Sequence, residues 1–576
     1  MLRKLLKYMK GYGKECVVAP LFKLLEASFE LLIPLVVASI VDTGIGNGDR
    51  GYVMKMVLLM VLLGLIGLGC AITAQYFAAK AAVGFATRLR HVVLKHVLGF
   101  SYTQVDTVGI STLITRLTSD INQVQNGVNL TLRLLLRSPF VVFGAMIMAF
   151  TIDFEAALVF VGMIPVLCIV VFGIMLITMP MYKRVQGSLD KVTSATRQNL
   201  AGVRVLRAFT REDEEVEDFE NHTASLMAGQ RKAGRISNLM NPLTFVIVNL
   251  AVIVLINVGA VKVQQGILTQ GLVIALYNYM TQILVELIKM ANLIISMTKA
   301  AACAQRVESV LEIESSQKNG SIVPQKLRGE VEFRNVTAKY HGAREASLEK
   351  ISFTAAPGET IGIIGGTGSG KTTLVNLIPR LYDAFEGEVL IDGINVHDYE
   401  FNSLRQQIGV VPQKSVLFKG SIRKNLLWGR EEASDDELWA ALDTAQAREV
   451  VKSKEGELEA EVEQGGVNFS GGQRQRLAIA RALVRKPAIL ILDDSASALD
   501  YATDAKLRMA IRNMPDSPTT FIVSQRAASV RYADQIIVLD EGDMVGIGTH
   551  EMLLESCPVY QEIYYSQFER EVKDHG

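Results

Sequence analysis

Six long apolar runs dominate the first half of the chain, near residues 17–41, 55–79, 134–152, 155–178, 242–263 and 270–297. A helix needs about 20 mostly apolar residues to cross the hydrocarbon core of a bilayer, so the pattern predicts six membrane spans within residues 1–310. The links between them alternate in length. Short polar links lie at 42–50, around Asp153, and from Gln264 to Gln270. The links at about 80–133 and 179–241 are far longer, poor in proline and helical in pattern, so the membrane helices are expected to continue well beyond the bilayer. Each long link must reverse at a tip. Gln104 to Ser111, with Gly109, is the candidate in the first and Leu206 to Glu215 in the second.

Past residue 310 the pattern changes. Residues 311–325, with Ser315, Ser316, Asn319 and Gly320, read as a linker, and 326–576 as a second, α/β domain of ordinary soluble composition. Residues 329–336 alternate like an edge strand. Two apolar runs, Thr360 to Ile364 and Ala488 to Leu492, read as buried strands.

Charge refines the membrane half. The long links carry Lys80, Arg88, Arg90, Lys95, Arg116 and Arg133, then Lys183, Arg184, Lys191, Arg197, Arg204, Arg207, Arg231, Lys232 and Arg235. Basic residues near span ends mark the cytoplasmic side, which places both links and both termini there. The N-terminal Met1 to Lys10 is basic and amphipathic without a cleavage site, so it reads as a helix on the inner membrane surface rather than a signal peptide. Glu26 and Glu30 share one helical face, and Gln282, Glu286 and Lys289 cluster around another span. Such groups either line a substrate pathway or pair structurally between helices. The formal net charge is zero, which gives no support to a nucleic-acid partner. The five cysteines are scattered with no C-x-x-C pair, which suggests neither a metal site nor a disulfide framework.

The chemistry concentrates in three places. Gly365, Gly366, Thr367, Gly368, Ser369, Gly370, Lys371 and Thr372 fit G-x-x-x-x-G-K-[ST] between a strand and a helix that includes Thr373. Backbone N–H groups of such a loop close around phosphates, Lys371 sits on them, and Thr372 ligates Mg²⁺. Asp493 and Asp494 end the second buried strand, where doubly wound sheets place ligands; Asp493 is the candidate metal holder and Asp494 lies beside the attacking water's expected position. Ser470, Gly471, Gly472 and Gln473 open a helix at Arg474 to Leu483, a second phosphate-facing surface. One nucleotide does not need both surfaces, so the second is expected to close on a nucleotide held by another copy of the domain.

These motifs, in this order, make the chain resemble a half-transporter of the ATP-binding cassette (ABC) exporter family, multidrug-exporter type. The resemblance spans nearly the whole chain. Ser470 to Gln473 stand as the family signature, with Phe469 where Leu is commoner. Gln413 stands as the Q-loop glutamine, sensing γ-phosphate and Mg²⁺, and Ser497 to Asp500 as the D-loop. Tyr340 falls at the adenine-stacking position. The resemblance implies a six-helix transmembrane domain and an α/β cassette with a helical subdomain. It also implies head-to-tail cassette dimers around two ATP molecules, and coupling helices at the two tips. The expected setting is a bacterial cytoplasmic membrane and the expected cargo hydrophobic or amphipathic.

Two positions depart from the family. Where it usually has a catalytic Glu the chain has Asp494, and where it usually has a switch His the chain has Gln525. Glutamine cannot exchange a proton as histidine can. Both changes fall on the same nucleotide site, so a slowly hydrolysing site is expected here, completed elsewhere by a different, related half-transporter. A homodimer such as a lipid flippase, or a regulatory subunit with little turnover, are the alternatives.

Overall fold

A computed structural model describes residues 5, 7–340, 342–495 and 498–568. The chain divides into two compact units. The first holds the residues up to Leu98 together with Ser111–Ile313; the second holds Gly99–Ile110 and the chain from Glu314 onward.

The first unit is helical. Among the described residues, six helical segments are long and apolar enough to cross a membrane: Gly13–Ile45, Arg50–Leu98, Ile110–Ile152, Phe154–Ala201, Glu212–Gln264 and Gln270–Leu311. At 1.5 Å per residue, the 49-residue helix Arg50–Leu98 is about 74 Å long against a hydrocarbon core of about 30 Å. More than half of it therefore extends past the bilayer, as the long polar links predict. Its buried positions Ala74, Ala78, Ala82 and Ala86 recur every fourth residue. Small side chains on one face let helix backbones approach closely, which is how helices associate without a hydrophobic drive between them. Many large apolar side chains point outward instead, including Leu58 and Ile169, as lipid contact requires.

Short links are fastened by buried charge and caps. Asp153 caps the helix Phe154–Ala201, accepting from Ala156 N at 2.8 Å, and pairs with Lys262 Nζ at 2.6 Å. Asp42 accepts from Thr269 Oγ1 and from Gly271 N at 2.7 Å.

The tips lie somewhat earlier than the sequence suggests. The first is a short helix, Tyr102–Val108, opened by a Ser101/Gln104 capping box and closed by Gly109 at φ 80°. The second is Val203–Phe209, entered at Gly202 and left through Thr210 in the left-handed region at φ 53°. The expected reversal at Leu206 to Glu215 begins about one turn too late, because Gly202 interrupts the helix first.

In the second unit an antiparallel sheet has the order β2-β1-β4-β5. Its strands are β1 (Val331–Ala338), β2 (Leu348–Ala355), β4 (Glu386–Ile391) and β5 (Ile394–Asn395). A six-stranded sheet has the order β12-β11-β3-β10-β9-β6. It comprises β3 (Thr360–Gly365), β6 (Ile408–Val411), β9 (Ile489–Asp493), β10 (Thr519–Val523), β11 (Gln535–Asp540) and β12 (Asp543–Gly548). The β6-β9-β10-β3-β11 run is parallel, and only β12 is antiparallel. A third, two-stranded sheet, β7 (Gly420–Ser421) with β8 (Glu461–Val462), sits among the helices Ile422–Leu427, Asp435–Thr444 and Gly471–Val484. The alternating stretch expected at a sheet edge is β1, which lies between β2 and β4. Its alternation reports a face packed on the core, through Val331, Phe333, Val336 and Ala338, and carries no information about how many neighbours the strand has.

Candidate nucleotide site

Strand β3 runs directly into the glycine loop, and the helix Lys371–Leu377 follows with Gly370 at its N-cap. Gly370 has φ 92°, and a Cβ there would lie 2.4 Å from the carbonyl oxygen of Ser347. Only glycine fits that turn without displacing backbone. Lys371 is buried and its ammonium donates to the carbonyls of Gly365 (3.0 Å) and Gly366, with Ser369 Oγ at 3.3 Å. The loop thus wraps a cation held by carbonyls and a hydroxyl. Burial lowers the Lys371 pKa, while the carboxylates of Asp494 and Asp493 push it back up.

The parallel strands β9 and β10 end beside this loop. Thr372 Oγ1 donates to Asp493 Oδ1 at 3.0 Å, and Asp493 is buried. Burial raises the Asp493 pKa, against the Thr372 hydrogen bond that lowers it. A hydroxyl and a carboxylate this close form a hard-oxygen pair of the kind Mg²⁺ takes with phosphate oxygens. The donor set therefore fits the metal. Asp494 stands at φ 46°, turned out of the strand, and accepts from Gln413 Nε2 at 3.3 Å. Thr367, Gly368, Gly370 to Thr373, Gln413, Asp493, Asp494, Gln525 and Tyr340 all line one cleft of about 300 Å³. Gly365, Gly366 and Ser369 form the loop beneath it.

Tyr340 is half-exposed at the rim, its hydroxyl 3.0 Å from Thr373 Oγ1 and its ring edge-on to Tyr382 at 5.2 Å. Tyr382 was not legible as functional in the sequence. It continues an aromatic row to Tyr102 at 5.8 Å and donates to Asp106 Oδ2 at 2.7 Å. Gln104 Nε2 adds a bond to Glu314 O at 2.7 Å. The first tip is therefore fastened to the same unit as the cleft, through the side chain that flanks Tyr340.

The signature residues sit elsewhere. Ser470 caps the helix Gly471–Val484, accepting from Gln473 N at 3.3 Å, and Gln473 Oε1 accepts from Ser470 N at 3.0 Å. This capping box settles the local donors and leaves the helix's first turn facing outward, with Ser470 and Gly471 exposed. Ser470, Gly471, Gly472 and Gln473 do not line the cleft. Of the D-loop positions, Ser497 lies outside the described residues, while Asp500 caps the helix Tyr501–Arg512 through Thr503 N at 2.9 Å.

Comparison with known proteins matches residues 16–287 to the ABC transporter transmembrane region family and residues 348–497 to the ABC transporter family. An uncharacterised ABC transporter ATP-binding protein of Mycobacterium tuberculosis is 38% identical over 98% of each chain. The chain belongs to the ABC transporter family. Among other relatives, an uncharacterised ABC transporter ATP-binding protein of Bacillus subtilis is 35% identical over 99% of each chain. The ATP-dependent lipid A-core flippase of Escherichia coli is 28% identical over 98% of this chain and 97% of its own. The ATP-bound structure of a bacterial Atm1-family ABC exporter superposes with a TM-score of 0.80 at 22% identity, covering 97% of this chain and 99% of that one. The fold is that of an ABC exporter: six membrane helices followed by an α/β nucleotide-binding unit in one multi-pass membrane chain. As an ABC transporter, the chain binds ATP through its cassette.

Gly370→Ala in this ABC transporter is expected to weaken ATP binding about tenfold, since a φ of this kind costs a residue with a Cβ about 1–3 kcal/mol and the Ser347 carbonyl blocks the space. Titration with a fluorescent ATP analogue checks it; an unchanged affinity would show that the loop relaxes freely.

Proposed function

We propose that this chain is one half of a heterodimeric ABC exporter that drives hydrophobic or amphipathic compounds out across a bacterial cytoplasmic membrane. Its long basic links and both termini lie on the cytoplasmic side, as the Lys and Arg pattern implies. Residues 1–310 form the transmembrane domain, 311–325 the linker and 326–576 the nucleotide-binding domain.

The observation that carries the heterodimer is the pair Asp494 and Gln525 in one cleft with Lys371. Lys371 and the loop amides hold the phosphates of ATP, and Tyr340 stacks on the adenine. Thr372, Asp493 and Gln413 hold Mg²⁺, which neutralises charge on the phosphate oxygens when bound. Asp494 is the residue that orients water, and it is one methylene shorter than the glutamate usual in the family. Gln525 can hydrogen-bond the γ-phosphate but cannot shuttle a proton. This site therefore holds ATP and hydrolyses it slowly.

The signature surface supports the other half of the reading. Ser470 to Gln473 keep a complete capping box and an outward-facing helix N-terminus away from their own cleft. That geometry suits a phosphate held by a partner's loop. The competent site combines that loop with this chain's signature. ATP binding at the two interfaces draws the cassettes together, and the tips carry the closure to the membrane helices.

ATP turnover by the purified chain, alone and with a co-expressed related half-transporter, tests this. Low activity alone and high activity in the pair, with vectorial transport by the pair lost on Lys371→Ala, is the expected result. Full transport by the chain alone would replace the heterodimer with a homodimer. ATP binding without transport in any pairing would leave a regulatory subunit.

A further inference from the structure

Within the first unit, four charged side chains form a single alternating chain. Glu30 Oε2 accepts from Arg137 Nη2 at 2.6 Å, and Arg137 Nη1 donates to Glu286 Oε1 at 2.6 Å. The same Glu286 oxygen accepts from Lys289 Nζ at 2.8 Å, and its other oxygen accepts from Ser138 Oγ at 2.8 Å. The two inner members are closed off, with the Arg137 side chain 7% and the Glu286 side chain 3% exposed. The two outer members are open, Glu30 at 38% and Lys289 at 43%. Both ends line one cleft of about 380 Å³, together with Ile33, Pro34, Val141 and Val285.

We infer that this cleft is a ligand site for an amphipathic zwitterion, with a primary ammonium at Glu30, an oxyanion at Lys289 and an apolar body against Ile33, Pro34, Val141 and Val285. The argument is one of charge. The four groups sum to zero, and Glu286 is already satisfied by three donors, from Arg137, Lys289 and Ser138. Each end keeps unused capacity: Glu30 has a second carboxylate oxygen with no bond among the described residues, and Lys289 has two further N–H donors. A purely anionic or purely cationic ligand answers one end and leaves the other desolvated beside it, which is costly in a membrane setting. A ligand with both charges answers both ends and leaves the total at zero. Gln282 lines the same cleft, and its Oε1 is buried without a partner among the described residues. A buried acceptor of this kind calls for a donor, and an N–H that reached it from the cleft would supply one. A short apolar peptide and a lysophospholipid with an ethanolamine head both carry this chemistry.

This rests on the export reading only in calling the ligand cargo; binding itself needs neither ATP nor the partner, because all four residues belong to one unit of one chain. The test is equilibrium binding to the full chain in nanodiscs without nucleotide. The probes are tritiated trileucine, N-acetyl-trileucine and trileucine amide, which share an apolar body, and lysophosphatidylethanolamine as the lipid arm. Each of the two capped peptides loses one terminal charge through a small cap. The wild-type chain is expected to bind trileucine or lysophosphatidylethanolamine about tenfold more tightly than either capped peptide. Glu30→Gln is expected to weaken the zwitterion and the amide while leaving N-acetyl-trileucine unchanged. Lys289→Gln is expected to do the reverse, and Glu30→Asp to restore binding. A purely structural role for the charges would not produce this crossed pattern.

Equal affinity for all three peptides, an equal loss of all three in both variants, or no binding of either zwitterion above empty nanodiscs would overturn the proposal. Variants are compared only where gel filtration matches wild type, and Glu30→Asp keeps the test open if Glu30→Gln does not fold. Zwitterion binding without ATP-driven transport would overturn the export reading and leave the site standing. Transport without zwitterion binding would do the opposite.

Discussion

The Asp494→Glu, Gln525→His double variant is expected to hydrolyse ATP about a hundredfold faster than the wild-type chain when each is purified alone. Glutamate adds one methylene, and a base displaced by about 1 Å costs on the order of a hundredfold. Histidine restores a proton exchanger near the γ-phosphate, and because the two groups act on the same proton transfer their effects do not multiply, which leaves the pair at about a hundredfold together. The other side chains of the cleft itself already stand in place. Lys371 is wrapped in the loop, Thr372 and Asp493 are 3.0 Å apart, and Gln413 reaches Asp494 at 3.3 Å. The variant changes two side chains of the cleft and leaves the phosphate loop untouched, so its effect falls on turnover rather than on ATP affinity. Steady-state phosphate release, with ATP affinity measured alongside, separates the two. Equal turnover in the variant and wild type would remove the slow-site reading and with it the main argument for an unlike partner.

A second large effect is expected in the membrane unit. Arg137→Met is expected to lower stability by about 3–5 kcal/mol, because Glu286 would then keep its charge in a buried position with the guanidinium gone. The second substitution, Glu286→Gln on the same background, is expected to recover part of that loss by removing the stranded carboxylate. Thermal unfolding of the three proteins in one detergent gives the answer. A melting temperature for Arg137→Met equal to that of wild type would mean that Lys289 and Ser138 satisfy Glu286 without help.

These two predictions draw on unequal parts of the sequence. The nucleotide cleft was legible because its chemistry is local. A loop of eight residues holds the glycines, Lys371 and Thr372 together, and the apolar run before Asp493 announces a strand whose end must meet them. The six spans were legible because the bilayer imposes a length. Arg137 was not. It begins an apolar run, where a charge reads as a membrane boundary, and its partners Glu30 and Glu286 stand 107 and 149 residues away. Glu30 and Glu286 were noticed as misplaced charges, but no spacing in the sequence names the cation between them. Tyr382 was hidden for a similar reason: one tyrosine in a turn after a helix has no pattern, and its partners Asp106 and Tyr102 belong to a distant tip. The second tip was misplaced by one turn because a single glycine, Gly202, outweighed the charge-rich stretch after it.

The docking of Tyr102–Val108 against Tyr382 also sets a clock on synthesis. The bond between Asp106 and Tyr382 spans 276 residues. At about 5–20 residues per second, the tip emerges from the ribosome roughly 14–55 s before the surface that receives it. Through that interval Tyr102, Asp106 and Gln104 have no cassette to bind, while the later membrane helices are being inserted. A nascent chain arrested before residue 382 therefore carries an unmatched tip, and a cassette expressed from Glu314 onward carries an uncovered Tyr382. Each half is born with a surface meant for the other, and quality control has about a minute in which to see it.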